Sequence, residues 1–378
     1  MQRGLRFTAA ICAMLLLGTV GAALLTGCGG DDTAYGTDAA APAVTVTITD
    51  LAGRTVDVLE TAERVVAIGP GSLRLVCYAG AADQVVGIEG MESQQSLGRP
   101  YILACPDLLE LPVVGQGGPD STPDPEALLT TDPDVIFVAY LVDATTADEL
   151  QSKTGIPVVV LSYGPLGTFN EELMESIELV GDLTGHADRG MEVAEQLRAW
   201  LADLDGRTAD ISDTRKPTVY AGALGMKGTH GIESTQTDFP PFTAINAANV
   251  VDECRGQGSV IIDKEQLLEW DPDHIFVDES GYAMVRDDYG KNPGFYEALK
   301  AVKDGELYGY LPFNYYTTNV GTAIADAYFM GTVIYPDAFS DVDPEAQADE
   351  IYTFLLGVPL YEKMAADFGG FTKLDLTQ

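Results

Sequence analysis

The chain has 378 residues, 46% of them hydrophobic, and carries 58 acidic against 21 basic side chains for a formal net charge of −37. That length suits two domains, each with a sizeable core. The charge argues against nucleic acid and anionic membrane surfaces as partners.

Arg3 and Arg6 precede the apolar run "FTAAICAMLLLGTVGAALL", which ends at Leu25-Thr26-Gly27-Cys28. A basic start and an apolar stretch closed by small residues have the form of an export signal. The last four residues resemble the bacterial lipobox, whose cysteine is acylated and becomes the mature N-terminus. This reading gives a signal peptide over 1–27, lipidation at Cys28 and a flexible tether over 28–44, rich in Gly, Ala and Asp. The protein is then exported and held at the outer face of the cytoplasmic membrane by lipid alone. A plain transmembrane helix is the alternative, since the run is near the spanning length. Cys77, Cys105 and Cys254 remain, and the absence of C-x-x-C excludes a zinc ribbon or thioredoxin motif. A Cys77–Cys105 disulfide and buried free thiols both fit the spacing.

Next, "VTVTITDLAGRTVDVL" alternates apolar and polar residues on either side of Ala52-Gly53, which predicts a hairpin. Short apolar runs at 64–70, 84–90, 134–140 and 156–164 alternate with helical segments, as in a parallel sheet covered on both faces. From 170 to 207 there is no strand signal. Met191, Ala194, Leu197, Leu201 and Leu204 recur at helical spacing there and predict a long, rigid helix. Runs at 216–224, 273–279 and 307–313 then repeat the strand–helix grammar. The fold class is therefore α/β: two Rossmann-like lobes, 45–168 and 208–378, joined by linking helices over 169–207. Ligands of such sheets bind outside the carboxyl ends of the strands, so a cleft between the lobes is expected.

One sentence is written twice. Glu126–Val138 and Glu265–Val277 are identical at nine of thirteen positions, and each reads as a short helix, Asp-Pro-Asp and a buried strand. Asp124 and Asp263 stand at the helix starts as N-caps. Each Glu complements a helix dipole by ~0.3–1 kcal/mol, and each is expected away from the carboxyl ends of the strands.

Strand ends nominate Pro70, Ser72, Arg74, Tyr140, Ser162 and Tyr163 in the first lobe. From the second come Lys227, His230, Ser280, Tyr282, Asn314, Tyr315 and Tyr316. Tyrosine offers a flat apolar face with a polar tip, which suits a planar or aromatic-rich chelate, although ordinary packing also explains any one of them. Lys227 and His230, in the Gly-rich "GMKGTHG", could meet an anionic ligand or lie on a surface loop; Arg74 poses the same choice. Only three histidines occur, too few for a converging transition-metal site, and no cofactor is expected. The nucleophile elbow, the Walker loop and H-E-x-x-H are all missing.

"ITDLAGRTVDV", "RVVAIGPGSLRLVCYAGAADQVVGIEG", "PEALLTTDPDVIFVA" and "VKDGELYGY" together resemble the helical-backbone class of ABC-importer substrate-binding proteins, across about residues 45–335. The resemblance implies a monomeric binding protein rather than an enzyme. Its partners would be an ABC permease, the ATPase of that permease and a small-molecule metal chelate. It further implies that Glu126 and Glu265 dock onto basic sockets of the permease. The implied ligand is an iron complex, siderophore or haem, with a corrinoid or a molybdate- or tungstate-type oxyanion as the alternative. Where the family often has an acidic residue after the first strand, this chain has Gly71-Ser72-Leu73-Arg74, which leaves ligand identity open.

Overall fold

The structure, a computed structural model, describes residues 44–377 apart from 95–97, 119–120, 122, 140–141, 165–168, 226–227, 255, 257 and 316. The signal peptide, Cys28 and the tether up to residue 43 lie outside the described residues, as do Tyr140, Lys227 and Tyr316.

The predicted hairpin is β1 (Thr45–Thr49) and β2 (Thr55–Leu59), turning at Ala52–Gly53. Its turn is tied to the first lobe. The Leu51 N–H donates to the Val160 carbonyl (3.1 Å), and the Asp50 carboxylate accepts from the Val160 N–H (3.1 Å) and the Arg54 guanidinium (2.9 Å).

In the first lobe β3 (Val65–Ile68) leads through α1 (Ser72–Tyr78) to β4 (Val85–Gly87). Three short helices follow, α2 (Gly90–Gln94), α3 (Pro100–Ala104) and α4 (Pro125–Thr130), then β5 (Val135–Val138), α5 (Ala144–Thr154) and β6 (Val158–Val160). The strands form a parallel sheet in the order β4-β3-β5-β6. Every residue of β3, β5 and β6 is buried, as a sheet covered on both faces requires.

Two helices link the lobes, α6 (Glu171–Thr184) and α7 (Ala187–Thr208). The 22 residues of α7 span about 33 Å. The buried stripe of α7 is Gly190, Val193, Ala194, Leu197, Trp200 and Leu204, whereas Met191, expected inside, is 49% exposed and Leu201 is half-buried. The cause is a close helix crossing. A Cβ at Gly190 would lie 3.0 Å from the Ile177 carbonyl oxygen, and one at Gly181 would lie 2.9 Å from that of His186. The seam therefore runs through Gly190, which turns its neighbour Met191 outward.

The second lobe begins with β7 (Thr218–Gly222), β8 (Ser234–Gln236), α8 (Pro240–Ala244), β9 (Ala248–Asn249) and β10 (Ser259–Ile261). It continues through α9 (Lys264–Trp270), β11 (His274–Asp278), α10 (Tyr282–Lys291), α11 (Pro293–Tyr296), α12 (Lys300–Lys303) and β12 (Leu307–Tyr310). Helices α13 (Val320–Ile334), α14 (Pro344–Leu356) and α15 (Tyr361–Phe368) precede the last strand, β13 (Thr372–Lys373). The sheet order is β13-β12-β11-β7-β9, parallel except for β13. The sequence reading anticipated β7, β11 and β12 and missed β8, β9, β10 and β13. A continuous hydrophobic cluster includes Val76 of the first lobe, Leu197 of α7 and Phe329 of α13, so the lobes share a core.

The two repeats are one physical unit used twice. Asp132 (φ 46°) and Asp271 (φ 40°) both take the left-handed conformation that aspartate tolerates. Two residues on, Asp134 accepts from the N–H groups of Glu63 and Arg64 (both 2.9 Å), and Asp273 accepts from that of Thr218 (2.8 Å). Each carboxylate thus pins the start of its strand to the start of the neighbouring central strand.

Candidate functional site

Strand order reverses between β3 and β5 in the first lobe and between β7 and β11 in the second. Such reversals open a crevice at the carboxyl ends of the strands, here at Gly69–Gly71 and Ala139, and at Ala223–Gly225 and Asp278–Gly281. The lobes meet beside the first of these. Gly71 is left-handed (φ 89°), and a Cβ there would sit 2.4 Å from the Thr317 side chain and 2.7 Å from the Tyr163 hydroxyl. Thr317 lies in the loop after β12, so here the first-lobe backbone comes up against a second-lobe side chain with no room for a Cβ.

Arg74, on α1, is fully buried behind this contact. Its Nε donates to Asn319 Oδ1 (3.0 Å), Nη1 donates to the Thr318 carbonyl (2.8 Å) and the Tyr163 hydroxyl (3.0 Å), and Nη2 donates to the Tyr315 carbonyl (3.3 Å). The Tyr163 hydroxyl in turn donates to the Gly71 carbonyl (2.9 Å). One guanidinium of the first lobe therefore grips three residues of the second-lobe loop, Tyr315, Thr318 and Asn319. A second buried arginine, Arg99, pairs with Glu92 (2.7 Å), which also accepts from the Tyr101 hydroxyl (2.8 Å). The ring of Tyr101 lies 5.1 Å from the Arg74 guanidinium and that of Tyr315 lies 5.4 Å from Arg99. Planar guanidinium groups suit such stacked, multiply bonded settings.

Of the residues nominated from the sequence, Arg74, Tyr163 and Tyr315 are brought together here, with buried Pro70 beside them. Ser72 is buried and donates to the Phe137 carbonyl (3.1 Å), fastening α1 to β5. Asn314 is exposed and bridges to Thr318. His230 and Tyr282 form a separate group around Gly281. The carbonyls of Ala223 and His230 close over that glycine, and the Tyr282 hydroxyl turns away to the Asp375 carbonyl (3.4 Å). Ser280 donates its hydroxyl to Asp278 (2.6 Å).

Sequence reasoning passed over the carboxylates of both rims. Glu89, just past β4, accepts from the Gly69 N–H (2.7 Å), and burial pushes its carboxyl up to about 7. At the end of β11, burial lifts Asp278 to about 6 against its Ser280 hydrogen bonds. Burial, aided by Asp278, lifts Glu279 to about 8 although the Gly370 N–H donates to it (2.7 Å). The signal available was position: each follows a buried apolar run directly. Among the described residues, no group of three or more His, Cys, Asp or Glu could hold a metal ion. A depression of about 420 Å³ lies elsewhere, at the amino ends of the second-lobe strands, and its Lys300–Asp273 and His274–Glu306 pairs are internally matched.

Asp124 caps α4, accepting from the N–H groups of Glu126 (3.0 Å) and Ala127 (3.1 Å), whereas the Asp263 side chain caps nothing. Glu126 and Glu265 are both exposed, and among the described residues neither carboxylate has a partner. They lie nearer the rims than expected. A Cβ on Gly115 would sit 3.7 Å from the Asp124 nitrogen, and the Gly115 carbonyl accepts from the Gly90 N–H just past β4. Likewise the Ile262 N–H donates to the Glu233 carbonyl, beside Ser234, whose carbonyl accepts from the Leu224 N–H past β7. A helix that feeds a strand runs back along it, so its start returns to the carboxyl-end side.

Two α/β lobes with parallel strands, joined by a helix and meeting at their carboxyl ends, define a two-lobed solute-binding protein. The chain belongs to the periplasmic binding protein family, whose profile matches residues 65–312. Proteins of this family are extracytoplasmic, bind small ligands and work with an ABC permease and its ATPase. The chain is similar in fold to the molybdate-bound protein MolA of Haemophilus influenzae (22% identity, 83% of this chain and 98% of that one covered, TM-score 0.64). It is also similar to a periplasmic solute-binding protein of Veillonella parvula (18%, 86% and 97%, 0.68) and to the haem-binding protein HmuT (18%, 79% and 88%, 0.55). Compared with curated protein sequences, it has no match.

Proposed function

We propose that the protein is the lipid-anchored receptor of an ABC importer, capturing an iron complex, siderophore or haem, and handing it to the permease. The observation that carries the ligand reading is where the charge lies. Arg74 and Arg99 are buried among protein partners, and the strand ends add the acids Glu89, Asp278 and Glu279, themselves buried and hydrogen-bonded to protein, with the aromatic side chains of Tyr163 and Tyr315 at the Arg74 contact. Oxyanions call for hydrogen-bond donors at the rim; acids and aromatic faces suit a bulky chelate. Titration of intrinsic fluorescence with ferric siderophores, haemin, cobalamin and molybdate tests this. Saturable binding of molybdate or cobalamin alone would overturn it.

Delivery rests on Glu126 and Glu265, repeated in register, exposed and, among the described residues, unpartnered. Reversing both to Arg leaves ligand affinity in solution unchanged and sharply reduces uptake, because like charges facing basic sockets cost several kcal/mol. If the pair serves only the helix dipoles, stability falls by ~1–2 kcal/mol and uptake stays intact. Single and double variants, measured for Kd, Tm and uptake, separate the two. Cys28→Ser releases the protein from the membrane fraction if Cys28 is acylated.

A further inference from the structure

We propose that Leu129 and Leu268 are paired apolar anchors of the permease contact, and that the partner offers the same face to both, as two identical subunits would. Each leucine stands three residues after a docking glutamate, on the same side of its helix. Among the described residues nine large apolar side chains are exposed, and four of them belong to the two copies of this unit: Leu129, Leu268, Val113 and Ile261. Exposed apolar residues scattered singly are ordinary; a set matched between two lobes is not. The leucine before each anchor, Leu128 or Leu267, is fully buried. From Asp124 to Thr130 and from Asp263 to Glu269, exposed, half-buried and buried positions follow in the same order, residue by residue. Val113 (55% exposed) and Ile261 (56%) extend the match. Ile261 lies two residues before the Asp263 that opens α9, and Val113 lies two residues before Gly115, which passes beside the Asp124 that opens α4. Each sits on a short edge pairing, Val113 with Ile88 and Ile261 with Ser234.

A carboxylate beside an exposed leucine calls for a cation beside an apolar hollow. A second copy of this chain brings the wrong charge, since it would set glutamate against glutamate in a chain of net charge −37. An anionic lipid surface meets the same repulsion. The occupant that complements both patches is a protein with a basic group and an apolar hollow, shown twice, and members of this family work with an ABC permease. Both helix starts lie on the carboxyl-end side of their sheets, so one partner can span the two. In such a contact the leucine keeps water from the ion pair beside it, which strengthens the pair. Because the two patches carry the same groups in the same order, each fits the same complementary surface. That the occupant is the permease rests on the docking reading above; the leucines and their match rest on the sequence and the geometry.

The test starts with the full chain in cells of its own host, with the photo-crosslinker p-benzoylphenylalanine replacing Thr130 or Glu269, each next to its leucine. Both should capture the same peptide of one permease polypeptide, identified by mass spectrometry. Capture of two different peptides would overturn the matched faces, and capture of this chain or of lipid alone would overturn the occupant. Leu129→Ser and Leu268→Ser are then made in the full chain carrying Cys28→Ser, which removes the proposed anchor. Binding is measured to host membrane vesicles with and without that permease. Each substitution should weaken permease-dependent binding about ten-fold, with factors equal within about two-fold, and the two together about a hundred-fold. Unequal losses would overturn the matched faces. Met191→Ser, at an exposed apolar residue of α7, should bind like the parent, and Tm should hold in all these variants because no core side chain is touched. Glu126→Arg/Glu265→Arg is measured alongside. If the leucine variants bind like the parent and the reversed glutamates do not, the anchors fail and the docking reading stands. If the reversed glutamates also bind like the parent, the docking reading fails and takes the anchors with it.

Discussion

Arg74 illustrates how a residue type can be legible while its role is not. A scarce arginine after the first strand suited either an anionic ligand or a solvated surface; in the structure it is buried and its donors are spent on Asn319, Tyr163 and two backbone carbonyls of the opposite lobe. Arg74→Met should leave those acceptors buried and unsatisfied and cost about 3 kcal/mol, read as a lower urea midpoint. If the midpoint does not move, the grip is ornamental. The rim acids give a pH signature. Glu279 and Glu89 hold protons to about 8 and about 7 in the folded protein, against about 4.3 for an unfolded glutamate. The folded state binds more protons between those values, so stability is greatest at the acid end and falls as pH rises from about 4 to 8. Glu279→Gln, which keeps an acceptor for the Gly370 N–H, should melt higher than the parent at pH 8, with the gap narrowing toward pH 5. A gap independent of pH would show that ionisation is not its cause.

At the scale of elements, the sequence was informative wherever one period dominated. The β-branched runs of β3, β5, β6, β7 and β11 are continuous because both faces of their sheets are covered, and no helix pattern competes with them. The strands missed are two or three residues long and lie in Gly-rich or polar stretches, where no period can develop. Helix α7 was found, but its inward face was misread at Met191, because apolarity was weighed and the Gly181–Gly190 backbone contact was not. Gly190→Val should therefore cost about 1–3 kcal/mol by overpacking, whereas Met191→Lys should stay within about 0.5 kcal/mol. Equal losses in chemical denaturation would return Met191 to the core. At the site, chemistry was catalogued by aromatic and basic residues. In a chain with 58 acids, three more carboxylates carried no contrast, and only their positions after β4 and β11 distinguish them.

For the whole molecule, the shared core and the about 33 Å length of α7 favour small relative motion of the lobes. A helix resists bending more than crossing strands do, so scattering curves with and without saturating ligand should nearly superpose. A marked compaction on binding would instead place a hinge at the ends of α7. The docking of the first hairpin has a different reach. By engaging both backbone groups of Val160, the turn of the hairpin occupies one outermost strand of the first sheet, β6; the other, β4, has three residues and passes into a bridge between Ile88 and Val113. The second sheet ends in β9 and β13, of two residues each. Neither sheet therefore leaves a long open border on which another copy could add a strand, the usual route to edge-to-edge aggregation. For receptors crowded side by side, as the lipid anchor proposed above would hold them, that closed border would keep neighbours from knitting together and leave each free to meet its transporter.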